Sequence, residues 1–383
     1  MKTRIFKLIL CISVLLFSLA CKKPFEHDAI SDSATLLVVE GIINQGGQTS
    51  IMLSRTLKIA DKSVLQMEKG AKVQVEGSNN SILALTESAA GIYTLPNTTF
   101  NATLQYRLRI KTIAGKEYLS DLMSVRTTPA IDSLNWRREQ DGVGLYVDAH
   151  DSNNNTKYYQ WDYLETWEQR SVGYSDYVYN NVSSSVGIRD YAETLKIFTC
   201  WKNEASTNIL ISSTAKLSSD VVDDFPLALI PNRSEKLGVR YSILVKQYAI
   251  GKEAYDYLIL MKRNSEQLGS LFDNQPTDII GNIKCISNPE ERVIGFLNIS
   301  QIIEKRIFIN NSQLPSWNFI LSCEPIVVKN HVDSMRNAFS TGASLITTYN
   351  LDFEGKKVSY NGDTATCLDC RTRGGSTVKP LFW

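Results

Sequence analysis

Lys72-Val73-Gln74-Val75-Glu76-Gly77-Ser78-Asn79-Asn80 and Tyr106-Arg107-Leu108-Arg109-Ile110 are the stretches that decide the fold. Over residues 72–76 and 106–110, apolar and polar or charged side chains alternate with a period of two. That is the spacing of a strand with one face in a core and the other in water. Gly77 to Asn80 is turn chemistry. Outward from these stretches the pattern repeats. Residues 36–43 are apolar and β-branched and end at Asn44-Gln45-Gly46-Gly47, and residues 49–53 follow. Gly91-Ile92-Tyr93 opens another strand, and Ala114-Gly115-Lys116 turns the chain into Glu117-Tyr118-Leu119. Short strands with frequent turns predict a β-sandwich over residues 35–128.

The sequence order Val-x-Val, Gly-x-Tyr, Tyr-x-Leu-x-Ile, Gly-Lys-x-Tyr resembles transthyretin-like or Ig-like sandwiches. Thr127-Thr128-Pro129 closes this unit, because proline cannot donate to a ladder and holds its predecessor extended. Residues 130–383 are then expected to form a second, β-rich domain. Its strands Gly144-Leu145-Tyr146-Val147-Asp148 and Lys157-Tyr158-Tyr159-Gln160-Trp161-Asp162-Tyr163 resemble the core of a fibronectin type III-like sandwich, with Trp161 central. Residues 170–195 are rich in Tyr, Ser and Asn and read as a long loop, a feature often tied to function. Ala254, Tyr255, Leu258, Met261 and Leu268 recur at helical spacing before Gly269, which predicts a helix over 252–268 packed on the second sheet. The expected fold is mainly β, with two sandwich modules and one helix.

The N-terminus supplies an address. Lys2, Arg4 and Lys7 precede an apolar run over residues 8–19, too short for the roughly 20 residues a spanning helix needs. This layout reads as a cleavable leader over residues 1–20. Phe17-Ser18-Leu19-Ala20-Cys21 resembles a lipobox, which makes Cys21 the expected lipidation site and residues 21–34 a polar tether. Acyl chains on one cysteine anchor a protein at roughly 0.8 kcal/mol per buried methylene. The chain has 41 basic and 40 acidic residues, and loss of the three leader cations leaves 38 against 40. A near-neutral body lacks the basic footprint that nucleic acid requires.

Cys200, Cys285, Cys323, Cys367 and Cys370 remain after Cys11 leaves with the leader and Cys21 is acylated, an odd number that leaves at least one thiol free or paired with another chain. Cys367-Leu368-Asp369-Cys370 has CxxC spacing. A zinc site would need a second such pair or a histidine pair, and redox work would need a following helix. The block instead runs into Arg371-Thr372-Arg373-Gly374-Gly375, so a structural disulfide among Cys323, Cys367 and Cys370 is expected. Catalytic and cofactor motifs are missing: no GxSxG elbow, HExxH helix or glycine-rich phosphate loop occurs. The histidines are His27, His150 and His331. Asp148, His150, Asp151 and Asn153 to Asn155 form a polar cluster whose spacing matches no calcium loop, so a solvated turn is expected.

Several blocks together resemble the domain-of-unknown-function family 4249 of Bacteroidota lipoproteins. They are Leu37-Val38-Val39-Glu40-Gly41, Tyr241 to Gln247 ahead of Glu253-Ala254-Tyr255, Gly269 to Pro276, Gly281-Asn282-Ile283, Val293-Ile294-Gly295-Phe296, and the tail from Cys367 to Trp383. The resemblance implies an outer-membrane lipoprotein, often accompanied by a TonB-dependent transporter barrel, and it brings no catalytic residue. Lys22-Lys23-Pro24-Phe25-Glu26 departs from the acidic export signal expected after the lipid cysteine, so either face of the outer membrane fits. A non-enzymatic accessory module capturing a small nutrient or glycan is the leading expectation. A surface hydrolase or carbohydrate-active enzyme with a dispersed site is the alternative, and an adhesin or envelope scaffold a third. Phe382 and Trp383 are costly to leave in water. The tail is therefore expected to fold back, with these aromatics packed or presented to a partner.

Overall fold

The computed structural model describes residues 35–57, 65–266 and 279–383, so the leader, Cys21 and the tether lie outside the described residues. The protein is mainly β, arranged in several sheets around three principal apolar cores. In the first, Val73 and Val75 are buried while Lys72, Gln74 and Glu76 face outward, and Tyr106, Leu108 and Ile110 alternate likewise with Arg107 and Arg109. The outward sides carry their own cross-strand pairs, with Glu76 holding Arg107 at 2.9 Å and Arg109 at 2.5 Å.

The short strands between residues 283 and 300 do not stay with the second unit. Ile283–Cys285 pairs with Glu117–Ser120, Val293–Ile294 lies parallel to the start of Leu37–Asn44, and Ile299–Ser300 sits between Leu37–Asn44 and Met123–Arg126. Ile283, Val293, Leu297 and Ile299 are buried in the first core. The expectation that 130–383 folds as one unit is corrected on this point: the chain crosses into the second core at Pro129 and returns. Thr128 marks the crossing, accepting from the Ala249 amide at 3.0 Å while bonding Ser300 and the Gln301 carbonyl.

The second core lies between a three-stranded sheet (Ile131–Arg138, Gly142–His150, Val221–Pro231) and a five-stranded one built on Tyr158–Arg170 and Arg240–Ala249. Trp161 is central, as the sequence suggests, and its indole donates to Gln247 Oε1 at 2.9 Å.

The third core is absent from the sequence expectation. Tyr177–Asn180, Ser185–Ile188, Ile326–Lys329, Ser344–Leu351 and Lys357–Thr364 form a sheet, and a helix over Val332–Phe339 buries Met335 and Phe339 against Ile346 and Tyr360. Residues 170–195 are therefore not a long loop. They hold a hairpin and the start of a helix over Tyr191–Phe198, whose N-cap Asp190 accepts from the amides of Ala192 and Glu193.

The one-helix expectation is likewise corrected: four α-helices occur among the described residues. The expected helix spans Lys252–Glu266; residues 267 and 268 lie outside the described residues. It does not rest on the second sheet alone. Ala254, Tyr255 and Leu258 pack with Ile42 and Phe296 of the first unit and Tyr158 and Ile211 of the second, wedging the helix at the junction.

Candidate functional site

A cleft of about 500 Å³ opens at that junction. One wall is backbone. The parallel ladder between residues 37–44 and 293–300 is closed at both ends in a single register and open between them. In the gap the Gly295 amide donates to Tyr257 Oη on the helix at 3.1 Å, and Leu297 N donates to Asn282 Oδ1 at 2.8 Å. Two glycines make this possible. Gly41 (φ +132°) and Gly295 (φ +138°) adopt backbone angles that side chains resist. A Cβ on Gly295 would strike the Val39 carbonyl, and one on Gly41 the Ser50 carbonyl.

The floor is the outer face of the five-stranded sheet, where Gln160 stands opposite Tyr248 and Asp162 opposite Lys246. Buried Tyr248 donates its hydroxyl to Asp162 Oδ2 at 2.5 Å. Burial pushes the Asp162 carboxyl above the usual carboxylate range, a rise that the Tyr248 hydroxyl and the Lys246 charge only partly oppose. Burial, reinforced by the Asp162 charge, drives the Tyr248 phenol well above its ordinary value. Lys246 leans to Glu304, with Nζ 3.8 Å from Oε1. The remaining wall is apolar, made by Leu258 and Met261 of the helix with Phe296. A polar floor under an apolar wall is the usual build of a small-molecule site.

The cysteines pair as Cys323 with Cys367 and Cys200 with Cys370, and Cys285 is a buried free thiol. The CxxC pair thus ties the tail to two different elements, and Cys200 lies outside the set singled out from sequence. Asp363 sits beside Cys323 and Cys367, but sulfurs bonded to each other offer no thiolate to a metal. The tail folds back over the five-stranded sheet. Ser376 exchanges backbone hydrogen bonds with Trp201 at 2.8 Å, Trp383 meets Phe308 edge-on at 5.8 Å, and its indole donates to Glu168 at 3.3 Å. Arg306 stacks over Phe382 at 3.5 Å, while Leu381 stays fully exposed.

Sequence reading also missed a hydrogen-bonded chain on the second unit. His150 Nδ1 lies 2.7 Å from Asp132 Oδ2, and Ser152 Oγ lies 3.2 Å from His150 Nε2. A bulge in the hairpin between Ile131 and Ser133 places Asp132 beside His150, and no local motif announces it. Hydrogen bonding to Asp132 raises the His150 pKa. His150 and Asp132 are exposed, and the amides of Asn153, Asn155 and Thr156 are all held by the Asp151 carboxylate. Those three amides are therefore not free to hold an oxyanion. Asp151 spends its oxygens closing this turn.

These features define a mainly β protein of several sheets, with a cleft where two of its cores meet. Its sequence matches the model of the domain of unknown function DUF4249 over residues 22–306, most of the chain, and the protein belongs to that family. The match covers the whole cleft and stops short of the third core's main strands and the cysteine tail. Comparison with curated proteins gave no match.

Proposed function

We propose that this protein is a lipid-anchored outer-membrane module that binds a small nutrient in the junction cleft and works beside a TonB-dependent transporter barrel, without catalysing a reaction. The observation that carries this reading is the cleft floor, where Gln160 and Asp162 present polar groups under an apolar wall in a family-matched part of the chain. The leader and Cys21 support the anchor, and the described residues contain no helix long and apolar enough to cross a membrane. In finer terms, we read the first two cores as sandwiches, the first transthyretin-like or Ig-like and the second fibronectin type III-like. Affinity purification in mild detergent tests the assembly: a barrel protein is expected to co-purify, and Cys21→Ser is expected to move the protein to the soluble fraction. A Cys21→Ser protein that stays in the membrane, or a preparation free of any barrel, contradicts the corresponding half.

A surface hydrolase is the second reading, and the Asp132–His150–Ser152 chain favours it, because an acid-backed histidine beside a serine is the arrangement of acyl transfer. A fluorophosphonate probe separates the two. The binding reading expects no labelling of Ser152 and the same p-nitrophenyl acetate turnover in Ser152→Ala. Labelling that vanishes in Ser152→Ala establishes the hydrolase instead.

A further inference from the structure

Asp162 and Lys246 stand directly opposite each other on neighbouring antiparallel strands, a position from which an acid and a base can pair. They form no ion pair. Asp162 takes the Tyr248 hydroxyl on Oδ2, and its Oδ1 has no hydrogen-bond partner among the described residues. Lys246 is drawn instead to Glu304, a half-exposed carboxylate 3.8 Å away. The cleft floor therefore presents an acceptor and a cation side by side, neither satisfied by the other. Leu258, Met261 and Phe296 face them across the cleft.

We propose that the ligand is a small zwitterion with an apolar side chain, a free amino acid or a short peptide. Its ammonium docks on Asp162, its carboxylate on Lys246, and its side chain lies against Leu258, Met261 and Phe296. This rests on the reading of the cleft as the binding site. An ammonium at Asp162 places a donating cation against the Oδ1 that the Tyr248 hydroxyl leaves open. The carboxylate draws Lys246 away from Glu304, whose exposure lets water take over its solvation. A single-charge ligand satisfies one group and sets its charge against nothing at the other. A neutral sugar uses neither charge.

Isothermal titration of the full lipoprotein in mild detergent tests this with L-phenylalanine, L-leucine, phenethylamine, 3-phenylpropionate and maltotriose. The two amino acids are expected to bind, with both single-charge analogues at least tenfold weaker than phenylalanine. Asp162→Asn and Lys246→Met should each weaken phenylalanine at least tenfold at an unchanged melting temperature. Phenethylamine binding as tightly as phenylalanine, or a Lys246→Met protein that binds normally, overturns the proposal. Failure of every probe overturns it too. Maltotriose binding that is lost in Met261→Trp overturns the ligand class and leaves the cleft as the binding site. Phenylalanine binding that survives Met261→Trp places the ligand elsewhere and overturns the reading of the cleft itself.

Discussion

Gly295 shows how little of a site's chemistry needs a reactive side chain. Its positive φ and its approach to the Val39 carbonyl hold open the gap in the ladder, and its amide is satisfied by Tyr257 from the helix. Gly295→Ala meets both penalties at once, a strained backbone and a backbone collision. We expect a loss of about 2 kcal/mol or more in denaturant unfolding, with the midpoint lowered and the slope unchanged. A variant as stable as the parent would contradict both penalties. The sequence marks Val293-Ile294-Gly295-Phe296 and Leu37-Val38-Val39-Glu40-Gly41 as distinctive blocks but gives no reason for them. The reason is that they are parallel neighbours, with Leu37 beside Val293 and Val38 beside Ile294. Asp162, by contrast, is legible as a strand residue from the alternation around Trp161. That it lines a cleft depends on a helix ninety-odd residues further on, which no local pattern reveals.

Elements long enough to show their period were legible. The strands at 72–77 and 105–111 bury the residues their alternation assigns, and the helix at 252 follows its 3–4 spacing. Returning strands of two or three residues, such as Val293–Ile294 and Ile299–Ser300, are too short to carry a period. The hairpin at 177–188 has its sheet partner at Ile346, far along the chain, so its Tyr and Ser content reads as loop. What fastens the returning segment is electrostatic as well as apolar. Glu291, nearly buried, accepts from Lys116 at 2.5 Å and from the Tyr118 hydroxyl at 2.5 Å. Burial alone would raise the Glu291 pKa, but the hydrogen bonds from Lys116 and Tyr118 outweigh it and hold it below the ordinary value of 4.5. Since the folded pKa lies below the unfolded one, this contribution is present above about pH 4.5 and is lost as pH falls through the folded value. Glu291→Gln should therefore cost roughly 1–3 kcal/mol at pH 7 and show a shallower loss of stability on acidification. Unfolding curves from pH 7 to 3 check both, and parallel pH profiles for parent and variant would contradict the role given to this carboxylate.

At the scale of the molecule, the chain leaves the first core at Pro129, builds the second, and comes back at Ile283 before ending across the second sheet. That path places the helix and the cleft at the junction, and it ties the cleft's shape to both cores. The tail is fixed by Cys200–Cys370 and by the stacking of Phe382 and Trp383, so its aromatic end closes one stretch of the sheet face whose other end is the cleft floor. A cleft shaped this way should hold its ligand without help from the third core. Native mass spectrometry of the protein purified from its own envelope tests most directly whether the cleft holds a ligand. The parent is expected to carry a bound small-molecule mass that Met261→Trp, folded and equally stable, lacks. A parent without bound mass, or an identical mass on both proteins, would contradict a ligand in the cleft.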